Sequence, residues 1–113
     1  MNAVAVLAAL LIATTGAIHS FLGERRILGP LAASGVLASI PGAARAIRFT
    51  WHLTTLLMLL TAITVAWPAT PAPILRLIGT AYLALGLLSL AMSRGRHISG
   101  PLFTAAGVLA LLA

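Results

Sequence analysis

Four side chains able to hold or move a proton stand out from an apolar background: His19, Glu24, His52 and His97. Glu24 is the only acidic residue. It follows His19 in the stretch GAIHSFLGERR at positions 16–26, which closes on Arg25 and Arg26. Imidazoles with a carboxylate form a legitimate ligand set for zinc, copper or non-haem iron. Two imidazoles on facing helices can clamp a haem, with arginines against its propionates. Arginine and histidine at a membrane edge suit phosphate, and so an anionic amphiphile: a lipid headgroup, a quinone or a polyprenyl phosphate. The same groups can support acid–base work. No local spacing decides among these, since there is no H-E-x-x-H, no G-x-S-x-G, no phosphate-binding glycine loop and no aspartate. Ordinary hydrolase and nucleotide chemistry are disfavoured.

The elements that must position these residues are membrane helices. Of 113 residues, 61% are hydrophobic and 7% charged, and the mean hydropathy is +1.13. Seven arginines and one glutamate cannot cover a soluble domain of this size. A span needs roughly 17–25 apolar residues, so the length allows about four passes. The net charge of +6 comes from arginine alone. Those arginines border apolar runs, which reads as orientation and lipid contact and argues against nucleic acid. The lack of cysteine removes disulfides, thiolate metal sites, iron–sulfur ligation and c-type haem attachment.

Hydropathy places spans at about 2–22, 46–67, 74–93 and 98–113. Gly23 is expected to end the first span, leaving 24–45 as a connector at the interface. Pro41 suits the first turn of the second helix, and Trp51 and Trp67 suit the two interfaces. Pro68, Pro71 and Pro73 mark a short extended connection, and Arg94–His97 a tight basic turn. Arg25, Arg26, Arg45, Arg48, Arg94 and Arg96 then share one side, with Arg76 alone on the other. The positive-inside rule puts the basic side in the cytoplasm and both termini outside it.

Depth follows from residue counts. His19, His52 and His97 each lie roughly 22–26 Å from the outer face at a rise of ~1.5 Å per residue, with Glu24 at the same edge. Helical phase sets Arg48, His52, Thr55, Leu59 and Ala62 on one stripe. A second stripe joins Gly79, Tyr82, Gly86, Ser89 and Ser93. Thr15 lies a turn from His19, and Thr104 two turns from His97. The two stripes are expected to face one another in an antiparallel bundle with a polar seam at its cytoplasmic end, with Arg48 and one of Arg25 and Arg26 pairing Glu24.

The set GAIHSFLGERR at 16–26, RFTWHLTT at 48–55 and RGRH at 94–97 resembles a family of small, uncharacterised bacterial four-helix integral membrane proteins. The resemblance covers essentially the whole chain. It implies a fold and a location and no activity.

The sequence thus describes an all-α, four-transmembrane-helix antiparallel bundle in the bacterial inner membrane. Its expected site comprises His19, Glu24, His52 and His97, supported by Arg48 and Arg25. The site would bind an anionic amphiphile, or a metal or haem b cofactor, with His19, His52, His97 and Glu24 as the metal ligand set. The alternative is a structural accessory subunit or assembly factor without a ligand of its own. Expected partners are membrane lipid and further copies or a larger membrane complex.

Overall fold

A computed structural model describes residues 2–113, which form helices joined by short connections, with no strand among those residues. Helix α1 (Ala3–Gly23) begins on Asn2, whose side-chain oxygen accepts from the Val4 and Ala5 N–H groups at 3.0 and 3.2 Å. That is an N-cap meeting two donors with no helical partner. Helix α3 (Ala43–Ala66) and helix α4 (Ala72–Ser93) follow, then the shorter α5 (Ser99–Leu112).

Gly23 is the last residue of regular α-helix, but the helical rod does not stop there. A glycine stops a helix when it swings to positive φ, and Gly23 keeps φ −57° and ψ −48°. The chain continues through a π-helical turn, Glu24–Leu28, into α2 (Gly29–Ala33), where the Gly29 N–H donates to the Glu24 carbonyl. The wide turn has a physical reason. Pro30 has no N–H, and its ring would press on the carbonyl of residue 26 in a regular α-helix. Widening the preceding turn lets the helix pass the proline. The non-helical part of the connector is therefore residues 34–42, bent at Gly35 and Gly42, which take φ of +72° and +78°.

The continuous Ala3–Ala33 rod, α3 and α4 are each long and apolar enough to cross a membrane. Their large apolar side chains point outward: Leu7, Leu10, Leu56, Leu60, Leu77 and Leu87 are exposed. The interior is rich in small residues, including Ala5 and Ala8 of α1, Ala62 of α3, and Ala106 and Ala110 of α5, packed with Ile12, Met58, Val65 and Tyr82. A soluble protein inverts this pattern. In lipid, close packing and hydrogen bonds hold helices together, and small side chains permit close approach. The chain is an all-α membrane protein.

The four rods are not arranged as a symmetric square. Helix α1 packs between α3 and α5, α4 packs along α5, and α3 meets α4 at only a few residues. The result is a flattened body of 49 × 30 × 19 Å. The α4–α5 interface is the most intimate. A Cβ added to Gly107 would lie 2.4 Å from the Leu83 nitrogen, so the two backbones all but touch. Tyr82 meets Phe103 edge-on at 5.4 Å between ring centres. Helix α4 ends with Arg94 at φ 52°, while the Gly95 N–H reaches back to the Leu90 carbonyl at 2.8 Å. This six-to-one bond reverses the chain for α5. At the far end Asn2 Nδ2 donates to the Ala113 carbonyl at 2.7 Å, fixing α1 and α5 antiparallel.

Candidate functional site

Helix phase brings part of the expected site together. Arg48 and His52 are one turn apart on α3 and face the end of α1. Glu24, first residue of the π-helical turn, lies opposite. Arg48 Nη2 donates to Glu24 Oε1 at 2.7 Å and Arg48 Nε to Oε2 at 3.2 Å, a two-pronged guanidinium–carboxylate contact. His52 Nε2 lies 3.1 Å from the same Oε2. These three side chains are about two-fifths exposed, so the cluster sits at the rim of the bundle.

The network runs inward through residues that were not picked as site candidates. His52 Nδ1 is 2.8 Å from Ser20 Oγ, which is 2.7 Å from Thr55 Oγ1. Buried Thr55 has its Oγ1 3.3 Å from the Gly16 carbonyl oxygen, within reach for donation. A signal for Ser20 was present. It is in phase with Gly16 and Gly23, a small-residue face on which a second helix can lie.

His19 belongs to a neighbouring arrangement. Its ring stacks on Trp51 with centres 4.6 Å apart and planes within 2°, and Trp51 Nε1 donates to the His19 carbonyl at 3.0 Å. Its Nε2 is buried without a hydrogen-bond partner among the described residues. Gly23 makes room for this stack, since a Cβ there would fall 2.1 Å from Trp51 Nε1. Trp51 is thus engaged in the α1–α3 contact, beyond the interfacial role its type suggested.

His97 does not join Glu24. Its Nδ1 lies 2.7 Å from Ser99 Oγ and accepts from the Ser99 N–H at 3.2 Å, holding the first turn of α5. Ser89 Oγ lies 2.8 Å from the same Ser99 hydroxyl. The imidazole therefore serves the tight turn that carries it. Arg25 also departs from the carboxylate and places its guanidinium 5.6 Å from the centre of the Phe21 ring.

The geometry narrows the chemistry. No group of three or more metal-ligating side chains comes together among the described residues, so His19, His52, His97 and Glu24 do not form the four-ligand set expected from sequence. A haem clamped by His19 and His52 meets a different obstacle. Both His52 nitrogens already face partners, and α1 and α3 approach to hydroxyl–carbonyl contact at Thr55 and Gly16, leaving no ring-sized gap. Ser20, His52 and Glu24 are the residue types of a nucleophile–base–carboxylate set. Ser20, however, sits inside a continuous α-helix whose N–H groups bond along the helix, so no backbone donor is free to form an oxyanion hole there.

No family model, curated protein or solved structure matches this chain.

Proposed function

We propose that this chain is a small multi-pass protein of the bacterial inner membrane that holds an anionic amphiphile through arginines at one membrane edge. One observation carries the reading. The sole carboxylate is taken by Arg48 and His52, which leaves Arg25 and Arg26 without an acidic partner among the described residues. Leu22, Arg25 and Arg26 line a recess of about 250 Å³ beside the end of α1. A second recess of about 280 Å³, lined in part by Gly35, Pro41 and Arg45, lies in the following connector. Arginine beside an apolar wall suits a phosphate on an acyl chain, because the charge meets the headgroup while the wall meets the tail. The positive-inside rule turns this edge to the cytoplasm and sets Asn2 and Ala113 on the opposite side.

Native mass spectrometry of protein extracted in mild detergent tests the reading. Retention of an anionic phospholipid that is lost from Arg25→Gln/Arg26→Gln supports it. Equal retention of anionic and zwitterionic lipid, or no change in the double variant, overturns it. A second reading is favoured by the Ser20–His52–Glu24–Arg48 network, whose groups already satisfy one another: a structural subunit of a larger membrane complex. The same spectra report subunit number, and a stoichiometric protein partner with no bound lipid supports that reading.

A further inference from the structure

The hydrogen bonds around His52 can be counted donor by donor, and the count leads to a second kind of site. Glu24, gripped through both oxygens by Arg48, is an acceptor. His52 Nε2 faces that carboxylate at 3.1 Å, so Nε2 carries hydrogen whether the ring is neutral or charged. The variable atom is Nδ1, which faces Ser20 Oγ at 2.8 Å. A neutral ring presents a lone pair there, and a charged ring presents an N–H.

Each hydroxyl beyond it has one hydrogen to give. With a neutral ring, Ser20 donates to Nδ1 and Thr55 donates to Ser20. With a charged ring, Nδ1 donates to Ser20, Ser20 donates to Thr55, and Thr55 donates to the Gly16 carbonyl. The distances for every link are in place: 2.8, 2.7 and 3.3 Å. The carbonyl has a second lone pair beyond the one used by its own helix.

We propose that His52 is a reversible proton-binding site whose charge is read out by reversal of the Ser20–Thr55 hydroxyl chain, ending on the backbone of α1 at Gly16. Proton uptake at Nδ1 breaks no link in the chain. It turns two hydroxyls and adds one hydrogen bond between α1 and α3. The ligand of this site is a proton drawn from the membrane edge, where His52 and Glu24 are partly exposed. Glu24 meets His52 from the α1 side, His19 is near enough to interact with its charge, and Arg48 lies one turn away on its own helix. Helix α4, the other element that α3 touches, carries Tyr82, packed on Phe103, and Arg76 near its opposite end.

Nitrogen-15 NMR of histidine-labelled protein in lipid bilayers tests the proposal, with carbon-13 at the Gly16 carbonyl as the second reporter. At alkaline pH, neutral His52 is expected with its hydrogen on Nε2. At acid pH both nitrogens should be protonated, and the Gly16 carbonyl signal should shift with the same midpoint. Thr55→Val should abolish the Gly16 shift, whereas Thr55→Ser should keep it. A neutral ring with hydrogen on Nδ1 overturns the proposal, as does a ring that never takes up a proton. A Gly16 signal that ignores the His52 charge, or moves equally in Thr55→Val, overturns it too. The tautomer and the Gly16 response are read on the unmodified chain, so they decide even if Thr55→Val fails to fold.

Discussion

The Trp51 indole lies flat on the His19 imidazole, 4.6 Å between centres and 2° from parallel, while its N–H donates to the His19 carbonyl. One tryptophan thus grips both the ring and the backbone of one residue. The grip leaves His19 Nε2 buried with no partner among the described residues. A buried polar atom of that kind lowers stability by about 1–3 kcal/mol. His19→Phe keeps a flat ring and removes the orphaned nitrogen. Its thermal midpoint in detergent is expected to equal or exceed the parent's. His19→Ala loses the stacked face and should be destabilised by about 1 kcal/mol or more. A phenylalanine variant that falls as far as the alanine variant would show that Nε2 has a partner after all.

Gly23→Ala places a methyl group where the Trp51 indole now lies. The ring must move, so both the stack and the bond to the His19 carbonyl are expected to go. A loss of about 1–3 kcal/mol follows from overpacking. In a Trp67→Phe background, Trp51 fluorescence should shift in wavelength along with the lower melting point. Gly16→Ala is the control, because its added Cβ would meet Met58 at an ordinary 3.4 Å.

Glu24 and Arg48 should behave as one unit. Glu24→Gln and Arg48→Gln each remove the same charged pair, so the double variant should melt little below the worse single variant. High salt should shrink the effect, since both side chains are partly open to solvent. Additive losses would mean that the ion pair contributes nothing and that each residue acts through other neighbours.

Gly107→Ala should be the most damaging of the small changes. The added carbon would meet backbone atoms of Leu83 and Gly79, which cannot rotate away as a side chain can. The expected loss is about 3 kcal/mol, at the upper end for overpacking. Cysteine pairs cross-linked across α4 and α5 should form less readily in this variant than in the parent.

The helices and the Arg48–His52 face were legible because apolar length and helical phase are local properties of the chain. Thr55 and Ala62 are buried as that stripe predicts, but Leu59 points outward and Met58 takes the inner place. The two stripes do not face one another as expected, because α3 and α4 barely touch. The Gly79–Tyr82–Gly86 face meets α5, while the His52 face meets α1. The run past Gly23 was hidden because glycine reads alike as a stop and as a seat for tryptophan. His97 matched the others in depth, yet a serine two positions on holds it at its own turn. Depth counting fixes height along a rod. It carries no information about direction around it.

The few contacts between α3 and α4 bear on how the molecule comes together. Neighbours in sequence joined by a tight reversal, α4 and α5 can pair as soon as both are inserted. Helix α3 has no such shortcut to that pair, and it and α5 are both held by packing on the N-terminal rod. That rod is the keystone: withdraw it, and two separate pieces are left adrift in the bilayer.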